Sequence, residues 1–119
     1  LSARFMTKII EGSVKNGEYF LTATYNGKYA GKLVYQLFVF DSDTAIITDL
    51  EVLKVLRRKG IATKLVETAV DRIFVRKYIK RVWIQDGSCD GSTGRLVRKL
   101  GFMKAEKEGI PSYELRRKI

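Results

Sequence analysis

The chain has 119 residues, enough for one domain with one hydrophobic core and too few for two. Hydrophobic residues make up 45% and aromatic residues 11%, a balance that excludes a disordered chain. The net charge of +10 attracts polyanions such as nucleic acid, anionic lipid or a phosphate-rich cofactor, while the absence of His excludes imidazole catalysis and the single Cys, Cys89, excludes an internal disulfide or a Cys-based metal site.

No apolar run approaches the roughly 18 residues that a membrane helix needs, and no signal peptide is evident. One Cys fits a reducing, cytoplasmic setting. Met6 is a more natural start than Leu1, so residues 1–5 read as leader and the rest of 1–119 as a single domain.

The first half predicts strands. Lys8 to Val14 is apolar and β-branched, with Asn16-Gly17 after it; Tyr19 to Tyr25 alternates, with Asn26-Gly27 after it. Asn-Gly favours the type I′ turn, whose two central residues need positive φ, so both pairs predict tight hairpins. Lys28 to Phe40 forms the third strand, with Gly31 as a candidate bulge. Asp41-Ser42-Asp43 turns the chain, and Thr44 to Leu53 completes an antiparallel meander. The period then changes. Ala62, Leu65, Val66, Ala69, Val70 and Ile73 recur at helical spacing, with Lys64, Glu67, Asp71 and Arg72 on the other face, predicting a helix from Lys59 to Val75. Arg81 to Gln85 is a short strand. Gly91 to Leu100 predicts a second helix, capped by Asp90 or Ser92 and closed by Gly101. Phe102 to Lys107 and Ser112 to Arg117 are the last strands, joined by a Gly109 to Pro111 turn. The order ββββαβαββ implies an α/β (α+β) fold. Its mixed, mostly antiparallel sheet has about seven strands, with a parallel crossover over Thr44 to Gln85 and helices packed on its faces.

Where that crossover enters its helix, Arg57, Arg58 and Lys59 stand in a row before Gly60. The N-terminal end of a helix carries positive partial charge and disfavours cations by about 0.3–1 kcal/mol each. Something anionic accounts for the crowding. Gly60 lets backbone approach a ligand closely, Ala62 is small, and the first-turn amides point outward at an anion. Charge-assisted hydrogen bonds contribute about 1.5–3 kcal/mol each, so a few of them outweigh the penalty. The combination describes a pyrophosphate cradle. A solvated basic helix cap with a structural glycine is the alternative. The spacing matches neither a Walker loop nor a Gly-x-Gly-x-x-Gly dinucleotide loop.

The stretch LEVLKVLRRKGIATKL resembles the central signature of the GNAT N-acetyltransferase superfamily, a strand with a Val, then Arg/Gln-x-x-Gly-x-Gly/Ala and a long helix. Arg57-Arg58-Lys59-Gly60-Ile61-Ala62 fills that pattern, with Val52 as the strand Val. DGSTGRLVRKLGF resembles the family's Asn-x-x-Ala-x-x-x-Tyr-x-x-x-Gly-Phe segment, and the order of elements agrees along nearly the whole chain. The resemblance implies acetyl-CoA as co-substrate and no metal. It implies that the loop amides of Arg58, Lys59, Gly60, Ile61, Ala62 and Thr63 hold the pyrophosphate, with Arg57 beside them. It further implies that Leu50, Glu51 and Val52 on the fourth strand hold the pantetheine by their backbone. That strand splays from the next, and the Val52 amide polarises the thioester carbonyl. Arg98 and Lys99 either reach the adenosine 3′-phosphate or lie on a solvated face.

Three departures stand out. Asp90 replaces the family's Asn. Val97 replaces the helix Tyr that protonates the leaving thiolate. Asn16-Gly17 replaces the two helices that shape the acceptor pocket, leaving the acceptor side open or completed by a second subunit, as in a homodimer. Asp49 and Glu51 share one face of the fourth strand, and either is a candidate general base. Gln85, beside Asp86, is a candidate to orient water or acceptor, and Tyr113 a candidate proton donor in place of the missing Tyr. Cys89 is expected to be an ordinary loop thiol, and Trp83 a core residue. The leading expectation is an N-acetyltransferase acting on a primary amine: a protein lysine, a protein N-terminus or a small amine. The alternatives are a silent GNAT-like domain that binds CoA or nucleic acid to regulate a partner, and a basic nucleic-acid module stacking bases on Tyr19, Tyr25, Tyr29 and Tyr35. Nucleic acid is the less favoured partner, since the basic residues are dispersed outside this loop, and no membrane partner is expected.

Overall fold

The structure, a computed structural model, describes residues 7–15, 17–37, 43–87, 91–107 and 110–118. Seven strands and two helices follow one another: β1 (Thr7–Lys15), β2 (Glu18–Tyr25), β3 (Lys28–Gln36), β4 (Thr44–Val52), α1 (Ile61–Phe74), β5 (Arg81–Gln85), α2 (Ser92–Lys99), β6 (Met103–Lys107) and β7 (Ile110–Arg116). A 3₁₀ turn, Lys54–Leu56, links β4 to α1. Among the described residues the sheet order is β1-β2-β3-β4-β5-β7-β6, with only β4 and β5 parallel. This is the expected mixed, mostly antiparallel architecture.

The turns follow local chemistry. Asn26 and Gly27 adopt φ of 53° and 84°, as a primed hairpin turn requires. The C-terminus of α2 is a Schellman motif. The Gly101 amide donates to the Arg98 carbonyl at 3.1 Å and the Phe102 amide to that of Val97 at 3.0 Å, while Gly101 takes φ 98°. Val97 and Phe102 both join the core, which is the apolar contact that accompanies this stop. At the other end of the core, Arg117 closes α1. Its Nη2 donates to the carbonyls of Phe74 and Arg76 at 2.8 and 2.9 Å, and its Nε to that of Ile79 at 2.8 Å.

The core lies between one face of the sheet and both helices. Ile61, Leu65, Val66, Ala69 and Ile73 of α1 and Val97 of α2 meet Leu21, Leu33, Tyr35, Ala45, Ile47, Val82, Ile84 and Tyr113 in a single cluster. Helices on both faces were the expectation; instead the described helices share one face. A hairpin joins β1 directly to β2, so no described helix comes from that connection to cover the other face. That face carries Phe20, Thr22, Lys32, Val34, Asp49 and Glu51 by register. Trp83 is buried on it, not in the main cluster, and its indole donates to Glu114.

Several boundaries differ from the sequence reading. α1 starts at Ile61, not Lys59, because Gly60 is its N-cap. α2 is capped by Gly91 with no side-chain bond, and Ser92 is its first residue; Asp90 lies outside the described residues. Pro111 is not a turn residue but pairs with Glu106 inside the β6–β7 ladder. β3 is described only to Gln36, and residues 38–42, Asn16, Cys89 and Gly109 fall outside the described set. Gly31 sits beside a bulge. Ala23 pairs with Gly31 and Thr24 with Tyr29, which leaves Ala30 as the extra residue.

Candidate active site

The candidate cradle is built by a strand that loses its neighbour. β4 pairs with β5 only from Thr44 to Ile47, opposite Arg81 to Ile84. Thr48 is a bulge: Val34 pairs with Asp49 but Tyr35 with Ile47. Bulges bend a strand and increase its twist, and this one lies where the two strands part. Beyond it, Asp49 to Val52 stays paired to β3 alone. The Leu53 amide donates to the Ala30 carbonyl at 2.8 Å, so Leu53 turns its polar groups to β3. In an antiparallel pair these directions alternate, so Leu50 and Val52 turn theirs the other way, into the gap beside β5. Arg57 confirms the direction, since its Nε donates to the outward Val52 carbonyl at 3.4 Å.

The chain then turns through the 3₁₀ segment into α1. Arg58 and Gly60 both adopt left-handed backbone, φ 66° and 78°. For Arg58 that conformation is strained, and nothing in the sequence signalled it. A β-carbon added at Gly60 would meet no atom within 4 Å, so the space beside it is open. Lys64 is the first residue of α1 whose amide reaches a helical carbonyl, that of Gly60 at 3.0 Å. Among the described residues, no side-chain cap and no turn carbonyl takes the amides of Ile61, Ala62 and Thr63. They form an outward set of donors at the positive end of the helix. Ile61 itself is 1% exposed, its side chain anchored in the core. The anchor fixes the first turn of the helix, and with it the direction of the amides.

Arg57, Arg58 and Lys59 surround these donors as exposed side chains. Lys59 Nζ lies 5.6 Å from the Tyr25 ring centre, tying the loop to the β2–β3 hairpin. A groove of about 600 Å³ runs from Gly60 along α1 past Lys64, Glu67, Thr68 and Asp71 to Leu100 and Leu115. Lys64 is a cation of this groove that the sequence reading left out. Arg98 and Lys99 do not line it; the Arg98 guanidinium lies 5.5 Å from the Tyr113 ring centre.

Asp49 and Glu51 both project from the helix-free face of β4, as their spacing predicts. Asp49 pairs with Lys32 at 3.4 Å, with both side chains half exposed. Burial and the neighbouring Glu51 carboxylate, which accepts a hydrogen bond from the phenol, push Tyr29 above its ordinary pKa. Leu50 and Val52 are partly buried against the core, so only their main-chain groups face the gap. Gln85 ends β5, exposed, with Asp86 half-buried after it. Val97, at the family's Tyr position, is fully buried. Tyr35 is no base-stacking residue: it is fully buried, stacked 5.3 Å from Tyr19 and donating to Glu11 at 2.5 Å.

Comparison with known proteins agrees with this geometry. Residues 3–102 match the family model for the acetyltransferase (GNAT) family. The chain belongs to the GNAT family and is an acyltransferase by class. No curated protein matches it. It is similar in structure to the Bacillus subtilis acetyltransferase in complex with CoA (TM-score 0.75, 16% identity, covering 94% of this chain and 99% of that one). It is also similar to a GNAT family acetyltransferase from Elizabethkingia anophelis with acetyl-CoA bound (TM-score 0.74, 14% identity, 93% and 98% covered). The PaiA N-acetyltransferase of Thermoplasma acidophilum in complex with coenzyme A has a TM-score of 0.72 at 16% identity, with 85% of this chain and 62% of that one covered. At these identities the likeness establishes the fold.

Proposed function

We propose that this protein transfers acetyl from acetyl-CoA to a primary amine. One observation carries the reading: three first-turn amides of α1, without acceptors among the described residues, stand beside a gap into which β4 turns two sets of main-chain groups. The amides of Ile61, Ala62 and Thr63 bind the diphosphate, with Arg57, Arg58 and Lys59 around it. The groove along α1 receives the nucleotide end, and Lys64 supplies a cation there. Leu50 and Val52 bond the pantetheine arm as a partner strand would, with the intervening Glu51 contributing backbone in register. Val52 and Leu50 present two outward amides to the arm. The family resemblance implies Val52 for the thioester carbonyl; with the arm extended to the closed end of the gap, the deeper Leu50 amide polarises it.

The acceptor approaches from the helix-free face, where Glu51 and Asp49 project. Glu51 removes the proton of the attacking amine, directly or through water, and Asp49 is the second candidate. The open face suits a large acceptor such as a protein lysine or N-terminus, and the basic surface steers toward an acidic one.

Buried Val97 favours a second reading, a silent CoA-binding domain, since no proton donor stands at that position. Calorimetry with acetyl-CoA followed by thiol release over a panel of amines tests both. Binding with turnover supports the enzyme; binding without turnover over any amine supports the silent domain; no binding contradicts both.

A further inference from the structure

We propose that Tyr113 is the proton donor to the departing thiolate and that Gly94 exists to let its hydroxyl in. The proposal rests on the acetyl-CoA reading and adds a catalytic residue to it. Ile47, Ile84, Tyr113 and Lys104 form one cross-strand row over β4, β5, β7 and β6. Ile47 and Ile84 are the last β4–β5 pair, so this row closes the gap. An arm entering from the Gly60 end passes Val52, then Leu50, and its reactive end points at the row.

Tyr113 stands in that row on the helix face, its ring 7% exposed in the core cluster. Its hydroxyl is directed at the first turn of α2. A β-carbon on residue 94 would come within 2.3 Å of the Tyr113 oxygen and 3.0 Å of Asp86 Oδ2. No side chain fits there, and a helix interior disfavours Gly by about 1 kcal/mol relative to Ala. The glycine is therefore tolerated for the space it leaves. Phenol and carboxylate converge on that space from β7 and from the end of β5.

In the step itself, the amine nitrogen bonds to the acetyl carbon as the carbon–sulfur bond breaks. The sulfur keeps the bond's electron pair and takes the Tyr113 proton. The proton lost by the amine leaves through Glu51 or water, and the phenolate regains one from solvent. Charge and atoms balance with no other reagent. Tyr113 thereby supplies from β7 what buried Val97 lacks.

The test needs no acceptor. Free CoA is bound to the wild type and to Tyr113→Phe, and the bound thiol is titrated by the ultraviolet absorbance of its thiolate. A hydroxyl that donates to sulfur stabilises the thiolate. The bound thiol should therefore ionise about one pH unit lower in the wild type than in the variant, a tenfold difference in thiolate fraction below both midpoints. The charged groups around Tyr113, namely Arg98 over its ring, Asp86 at its hydroxyl end and Lys104 across the ladder, are common to both proteins and cancel. Phe keeps the packed ring, so CoA affinity should be unchanged below both midpoints, where the thiol is protonated in both proteins, and should diverge only as it ionises; a purely structural role would leave the thiol titration unmoved. Gly94→Ala, which crowds the hydroxyl, should move the titration the same way. Equal titrations in wild type and Tyr113→Phe overturn the assignment while leaving the cofactor site intact. Failure of the wild type to bind CoA overturns both.

Discussion

Gly60→Glu places a carboxylate where the cradle is proposed to hold a diphosphate. Gly60 is exposed with open space around it, so the new side chain displaces nothing. Its φ of 78° is left-handed, and a non-glycine residue there costs about 1–2 kcal/mol. That is well inside the usual stability of about 5–15 kcal/mol, so the domain remains folded. The ligand side loses more. The free amides of Ile61, Ala62 and Thr63 offer charge-assisted bonds of about 1.5–3 kcal/mol each, and the carboxylate both repels the diphosphate and competes for them. Loss of two such bonds weakens CoA binding by about two to four orders of magnitude in Kd. Calorimetry with CoA measures this, and a thermal melt checks the fold. Gly60→Ala carries the backbone strain without the charge and should retain most of the affinity. If Gly60→Glu stays folded and binds CoA within threefold of wild type (about 0.7 kcal/mol), the cradle is somewhere else.

Glu51→Gln should lower the rate of thiol release about 100-fold at neutral pH, with CoA affinity kept, and Asp49→Asn should lower it less. An equal loss in both variants would remove Glu51 from the role of base. Arg57 donates to the Val52 carbonyl that is proposed to bond the pantetheine arm, so Arg57→Ala should weaken binding of 3′,5′-ADP and leave or strengthen binding of S-acetylpantetheine; weakening of both would contradict the two-ended assignment. Tyr35→Phe removes a part-buried bond to Glu11 and should cost about 1.5 kcal/mol, lowering the melting temperature by about 5 °C. Burial acts to raise the pKa of Glu114, but hydrogen bonds from Arg116 and Trp83 outweigh it and hold the carboxyl below its ordinary value. A depressed native pKa stabilises above the unfolded value and loses that contribution as pH falls through the native one. Glu114→Gln should therefore flatten the loss of stability below about pH 5, as read from urea midpoints at several pH values.

Much of the fold is written in local signals. The spacing from Leu65 to Ile73 specifies α1, Asn26-Gly27 the β2–β3 hairpin, and Leu100-Gly101-Phe102 the end of α2, because each depends on a few adjacent residues. What the sequence did not show depends on partners far along the chain. The bulge at Thr48 is a matter of register against β3, and no residue type announces it. Tyr35 looks like any strand aromatic until its alternation is set against α1, which buries it. The layer of helices on one face follows from packing against a shared core rather than from any motif. In the candidate site, the basic triplet and Gly60 were visible because the signature is contiguous. The strained Arg58, the engagement of Arg57 with Val52 and the fit of Tyr113 against Gly94 were not, since each is a geometry between residues of ordinary type.

The central claim is that the first-turn amides of α1 grip a diphosphate, and amide-resolved NMR tests it most directly. Titration of the isotope-labelled chain with CoA, and separately with adenosine 3′-monophosphate as a fragment with neither the 5′-diphosphate nor the pantetheine, should saturate at one ligand per chain. With CoA, the amides of Ile61, Ala62 and Thr63 should show the largest downfield shifts. With adenosine 3′-monophosphate those shifts should be small, and the changes confined to the groove along α1. Saturating CoA binding that leaves these three amides unmoved would contradict the account.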